Sequence, residues 1–301
     1  MIGVCTDSNA QLPPELVERF GIEVVPITVN VDGLEYLEGI DLDADEFYAR
    51  FSDGHVPVVS TSQPSPGQFA VAYDDLINRG CTSIISIHVS AAVSGTLNSA
   101  RLAARSVPVP VRLIDSATAS FGVGCCAWAA AEAIANGATF DQVTAIASNL
   151  APQIGNVFIV GTLDLLYAGG RAGTESKALQ GAGVPVLSLV EGEIRVIERV
   201  DTMVDAVNAM AAYALRWGDG LKIAVGIADR AGSALSDALA AAVEAAANVR
   251  EVVHYRIGPS VGAHTGPGTA GCFMFPADFQ PLAPPTLLSP EERRRTTREP
   301  N

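Results

Sequence analysis

Short runs of aliphatic and β-branched residues alternate with amphipathic helical patterns through the first part of the chain, and this rhythm restricts it to an α/β architecture. Residues 2–5, 22–31, 83–89 and 111–114 read as strands. Residues 14–20, 43–51, 66–79, 93–105, 121–135 and 140–150 read as the helices between them. Brief apolar strands joined through helices imply a parallel sheet covered on both faces.

The rhythm changes at Ala151-Pro152. Residues 157–160 form a strand signal. Residues 184–190 and 194–200 then read as a hairpin closed at Glu191-Gly192-Glu193. A helix over 201–217 follows, with Asp201 or Thr202 as its N-cap, then strand signals at 222–228, 251–257 and 271–275 around an Ala-rich helix at 231–247. The expected architecture is two α/β domains: an N-terminal parallel, Rossmann-like sheet over 1–152 and a C-terminal domain with a mixed sheet over 153–279. Residues 280–301, rich in Pro and then in Arg, read as a disordered tail or as a basic arm near a partner.

Lys and Arg number 19 against 33 Asp and Glu, a formal charge of −14. That balance argues against nucleic acid and against electrostatic docking on anionic membrane. The beginning of the chain lacks the pattern of a secretory signal, and the most apolar stretch, 122–137, is interrupted by Glu132 and short for a span, so no stable membrane insertion is expected. Cys5, Cys81, Cys125, Cys126 and Cys272 show no C-x-x-C spacing and read as reduced thiols of a cytoplasmic protein.

Four segments are dense in Ser and Thr: Thr6-Asp7-Ser8-Asn9-Ala10, Ser60-Thr61-Ser62-Gln63-Pro64-Ser65-Pro66, Ser90-Ala91-Ala92-Val93-Ser94-Gly95-Thr96 and Asp115-Ser116-Ala117-Thr118. Three follow predicted strands, so they gather at the carboxyl edge of the sheet, where open α/β sheets bind ligands. Hydroxyls and free helix N–H groups there can hold an anion without a lysine. The plainer reading makes each residue a cap on its own helix. Gly169-Gly170-Arg171 projects a guanidinium suited to carboxylate or phosphate, or simply ends a helix beside a surface Arg. His264 sits in what reads as a Gly-rich loop, 258–268.

Sharper motifs are missing. The run Asp41-Leu42-Asp43-Ala44-Asp45 has Glu46 where a calcium loop needs Gly. Neither phosphate-loop fingerprint is present, and His55, His88, His254 and His264 show no metal-ligand spacing, so no metal and no cofactor is expected. Ser94 lacks the glycine of a nucleophile elbow.

Taken together, Thr6-Asp7-Ser8-Asn9-Ala10 with Leu12-Pro13, Val25-Pro26, Thr61-Ser62-Gln63-Pro64-Ser65, Ser94-Gly95-Thr96, Asp115-Ser116, Gly169-Gly170-Arg171 and 262–268 resemble the DegV family of bacterial fatty-acid-binding proteins. The resemblance implies two α/β domains around one long-chain fatty acid, with the carboxylate held by Thr61 and Ser94. It places Ser62, Gly95, Thr96, Arg171 and His264 near that end or facing a partner. It further implies a carrier without catalysis of its own, which in some members presents the acid to a separate fatty-acid kinase. Two positions depart from the family pattern. Ser90-Ala91 stands where a Ser-Ser pair is common, and Gly183-Val184-Pro185 lacks the lysine of an Ile-Lys-Pro-like strand start.

Phe121, Phe158, Ile159, Leu163, Leu166 and Phe273 are the expected tunnel residues, each also readable as ordinary core. The competing reading is a serine hydrolase or acyl-transfer enzyme with Ser94 as nucleophile, His264 as base and Asp7 or Asp115 as orienting acid.

Overall fold

Strand β1 (Ile2–Asp7) is buried from Gly3 to Asp7, as a strand covered on both faces must be. In the computed structural model, which describes residues 1–52, 55–161, 163–168, 181–190 and 193–279, it is an inner strand of a parallel sheet. The chain continues through α1 (Pro14–Phe20), β2 (Glu23–Val25), β3 (Thr28–Val31), β4 (Leu34–Leu37), α2 (Ala44–Ala49), β5 (Val59–Ser62) and α3 (Pro66–Asn78). Then come β6 (Ser83–His88), α4 (Thr96–Ala104), β7 (Val111–Asp115), α5 (Phe121–Ala135) and α6 (Phe140–Asn149). The parallel sheet has the order β2-β1-β6-β7.

The single strand expected over 22–31 is two strands in different sheets. Pro26 has no N–H, and the Ile27 amide donates to Ser8 Oγ at 2.9 Å, so the parallel ladder stops at Val25. β3 then pairs antiparallel with β4 and β5 in a small sheet that the strand pattern did not anticipate. Its hairpin turns at Asp32-Gly33, with φ of 51° and 86°, the backbone that an Asp-Gly turn favours.

The second half runs β8 (Gly155–Ile159), α7 (Leu163–Ala168), β9 (Val184–Val190), β10 (Glu193–Val200), α8 (Met203–Leu215), β11 (Leu221–Ile227), α9 (Ser233–Glu244), β12 (Val249–Arg256), α10 (Pro259–Thr265) and β13 (Ala270–Pro276). Its mixed sheet has the order β10-β9-β8-β13-β11-β12, in which only β11 and β12 pair in parallel. The hairpin is present as β9 and β10, while Glu191 and Gly192 lie outside the described residues. Thr202, not Asp201, caps α8 by accepting the Asp205 N–H at 3.1 Å. Residues 280–301 also lie outside the described residues.

Helix α5 explains how the two sheets meet. Apart from Glu132 its residues are apolar or small all round, and Phe121–Cys126, Trp128 and Ala130 are buried. It packs on β1 and β6 on one side and on β13 on the other, with Trp128 edge-on to Phe275 at 5.5 Å. The stretch that came nearest to a membrane span is therefore the central helix. No described helix is long and apolar enough to cross a membrane. Across the same junction Lys222, only 4% exposed, meets both Glu132 oxygens at 2.6 Å and Glu251 at 3.2 Å, which compensates its buried charge.

Candidate functional site

A cavity of about 480 Å³ lies beyond the N-terminal end of α5, between the two sheets. From the first half of the chain come the hydroxyls and amides of Asn9, Thr61, Ser62, Gln63, Ser90, Ser94, Thr118 and Ser120, interspersed with apolar Ile27, Val89 and Val93. The second half gives it Phe158, Leu166, Leu189, Ile194 and Phe273, and α10 adds Ser260, Val261 and His264.

The hollow has a cause in the mixed sheet. One cross-strand row reads Tyr255, Gly226, Gly271, Phe158. A methyl group on Gly226 would lie 2.1 Å from Tyr255 Cζ, so the ring leans over bare backbone. Beyond Phe158 the sheet opens, because β8 and β9 keep ladder register at Phe158–Leu187. There the Asn156 side chain takes over the ladder: Nδ2 donates to the Leu189 carbonyl at 2.8 Å and Oδ1 accepts the Leu189 N–H at 2.6 Å. The cavity extends to this divergence, where Leu166, Leu187 and Ile194 form their own apolar cluster.

Buried and surface aspartates shape the polar wall by accepting loop amides. Asp7 Oδ1 takes the Asn9 N–H at 3.1 Å, and Oδ2 takes Val89 N–H at 3.1 Å and lies 3.0 Å from His88 Nδ1. Asn9 Oδ1 in turn accepts the Ser120 N–H at 2.8 Å. Asp115 accepts the amides of Ala91 at 3.3 Å and Ala117 at 2.9 Å. Ala117 and Ser120, with φ of 52° and 57°, hold left-handed backbone that these bonds stabilise.

The expected head-end residues are brought together except where they fall outside the described residues. Thr61 and Ser62 belong to β5 rather than to a loop, Thr61 opposite Val29, and both line the cavity. Ser94 and Gly95 line it at the start of α4. Thr96 is fully buried behind them, its Oγ1 2.8 Å from Ser94 Oγ. His264 reaches the wall from α10, so the Gly-rich segment is a helix around it rather than a loop. Gly258 and Pro259 begin that helix, and Gly262 fits because a methyl there would meet Tyr48 Oη at 2.4 Å. Arg171, with Gly169 and Gly170, lies outside the described residues. Of the expected tunnel residues, Phe158, Leu166 and Phe273 line the cavity. Phe121 packs on Tyr255 at 4.6 Å, Ile159 sits in the core beneath the mixed sheet, and Leu163 packs beside Leu166.

Sequence reasoning missed three polar features. One is the Asn156 bridge. Another is Glu38, buried and receiving Ser8 Oγ–H, Gln11 Nε2–H at 3.3 Å and Ser260 N–H at 2.8 Å. Burial raises its carboxyl above the ordinary 4.5, and these donors oppose the rise. The third is a chain from Asp7 through His88 and Ser86 to Tyr73, with His88 Nε2–Ser86 Oγ at 2.6 Å and Ser86 Oγ–Tyr73 Oη at 2.8 Å. It has the composition of a catalytic triad, but all four residues are fully buried, so it is scaffold. Alternating apolar strands gave no signal for it.

Ser94 Oγ accepts the Thr96 N–H at 3.3 Å, and Asp7 and Asp115 face loop amides. Burial pushes the Cys272 thiol, also on the wall, up to about 12, which leaves it neutral and unreactive. Among the described residues no group of His, Cys, Asp or Glu is placed to hold a metal ion.

Comparison with known proteins agrees with this architecture. A family model described as "Uncharacterised protein, DegV family" matches residues 1–277. A DegV domain-containing protein of Streptomyces coelicolor is 36% identical over 278 residues, covering 90% of this chain and 96% of the relative. Among solved structures, a fatty-acid-binding DegV family protein from Thermus thermophilus superposes with a TM-score of 0.81 at 31% identity, covering 91% of this chain and 99% of that one. DegV from Bacillus subtilis, a fatty acid binding protein, gives 0.76 at 27% identity, covering 91% and 98%. With the match running from the first strand through the last, the chain belongs to the DegV family.

Proposed function

We propose that the protein binds one long-chain fatty acid in the cavity, its carboxylate held by Thr61 and Ser94 and its acyl chain laid along the mixed sheet toward Leu189 and Ile194. The observation that carries this reading is a single cavity that holds a cluster of hydroxyl and amide groups at Thr61, Ser62, Gln63, Ser90 and Ser94 together with the apolar side chains of Phe158, Leu166, Leu189, Ile194 and Phe273. That is the polarity of a single-chain amphiphile, and the volume falls within the range of small-molecule sites. The fatty acids bound by the Thermus and Bacillus proteins support the same ligand class.

Energetics assign the two kinds of group different tasks. Burying about 14 methylenes at ~0.8 kcal/mol each gives on the order of 11 kcal/mol before ordering costs. Hydrogen bonds to a charged headgroup add ~1.5–3 kcal/mol apiece. The apolar side chains therefore set affinity and the hydroxyls set direction. Thr61 Oγ1 makes no hydrogen bond to the described residues, and Ser94 Oγ, 2.8 Å from Thr96 Oγ1, can donate to a ligand when Thr96 supplies the proton of that pair.

The protein acts as a carrier without its own turnover and presents the acid to a separate fatty-acid kinase, the role that the family resemblance implies. Mass spectrometry of an organic extract of the purified protein tests the ligand. Long-chain fatty acid near one per chain is expected. An extract without fatty acid, from protein that also fails to take up added palmitate, would refute the reading.

A further inference from the structure

The Gln63 side chain lies flat on Gly95. A methyl on Gly95 would sit 3.1 Å from Gln63 Cδ and Nε2 and 3.3 Å from Oε1, so the whole amide rests against Gly95 more closely than it would against a larger residue without shifting. Gly95 needs no positive φ, its φ being −79°, so this close approach is what its missing side chain permits. Gln63 directly follows β5, and the proline after it, Pro64, disfavours helical backbone at Gln63 and so restricts where the side chain departs. Gln63 is solvent-exposed, lines the cavity beside Thr61 and Ser94, and makes no side-chain hydrogen bond to the described residues.

We propose that the Gln63 amide is the outer clasp of the headgroup: it closes the carboxyl end of the cavity over Gly95 and donates an N–H to the bound acid. The proposal rests on the fatty-acid reading and assigns it a further ligand-contacting residue. Thr61 and Ser94 offer one O–H each, whereas a carboxylate accepts about four hydrogen bonds. The side-chain amide supplies a further donor without placing a charge in the opening.

The test compares wild type, Gln63→Ala and Gln63→Glu for displacement of a fluorescent fatty acid by oleic acid and by oleyl alcohol at pH 8. Wild type is expected to bind oleic acid more tightly than the alcohol. Gln63→Ala should weaken oleic acid about threefold to tenfold, the loss of one donor. Gln63→Glu should weaken it more than tenfold through carboxylate repulsion, with the alcohol within about twofold of wild type. Oleic acid binding unchanged in Gln63→Glu, or acid and alcohol weakened equally, would overturn the clasp while leaving fatty-acid binding intact. A wild-type protein that bound neither probe would overturn both readings.

Discussion

The Asp7 carboxylate accepts the Val89 N–H at 3.1 Å across 82 residues of sequence, tying the end of β1 to the first residue beyond β6. Val89 and Ser90 line the cavity, so this buried bond holds part of the binding wall in place. Asp7→Asn turns an amide donor toward Val89 N–H or Asn9 N–H. It is expected to cost about 1–3 kcal/mol, the penalty of one buried unsatisfied donor. Asp115→Asn, at an exposed carboxylate with the same kind of partners, should cost less. Urea unfolding of the two variants checks the order.

Thr61→Ala and Ser94→Ala should each weaken fatty-acid binding about tenfold or more, as expected for one hydrogen bond to a charged group, with little change in thermal midpoint. Both side chains stand at the cavity rather than in the core. Equilibrium titration with a fluorescent fatty acid, alongside thermal melts, separates affinity from folding. Undiminished affinity in the double variant would remove these hydroxyls from the site.

Glu38 gives the fold a pH dependence of definite sign. Its carboxyl titrates above 4.5 when folded, because burial disfavours its charge. Between the ordinary value and the raised one the folded chain holds a proton that the unfolded chain has lost. Stability from this group is therefore fully present below about pH 4.5 and falls as pH rises through the folded value. Glu38→Gln should flatten that part of the profile. Urea midpoints of wild type and variant between pH 4 and 8 provide the difference.

Gly262→Ala should separate α10 from α2, since the new methyl would fall 2.4 Å from Tyr48 Oη and 2.8 Å from Phe47 Cε1. The cost of such overpacking is about 1–3 kcal/mol. Removing the hydroxyl with Tyr48→Phe also deletes its bond to the Ile257 carbonyl at 2.9 Å. The double variant should nonetheless be more stable than the sum of the single losses predicts, because the two changes share one contact. A double-variant cycle by denaturant unfolding measures that coupling.

Much of this was legible in the sequence where one physical signal dominates. Helices such as 14–20 and 121–135 were readable to the residue from their apolar pattern and flanking Pro, Ser or Asn. The Ser and Thr residues that line the cavity were readable as hydroxyls clustered near strand ends. The small sheet was not, because β4 and β5 are short and partly exposed, although Asp32-Gly33 carried a hairpin signal. His264 looked like a loop residue because glycines surround it, but Pro259 at the first turn and packing on Tyr48 and Phe47 make that segment a helix. The cavity itself depends on cross-strand rows such as Tyr255, Gly226, Gly271 and Phe158, which exist only once distant strands are in register.

The most direct measurement is a crystal structure of the protein with palmitate bound. The carboxylate is expected within hydrogen-bond distance of Thr61 Oγ1 and Ser94 Oγ, with the methyl end among Leu166, Leu189 and Ile194. A chain bound in the reverse direction, or palmitate found only outside the cavity, would contradict this assignment.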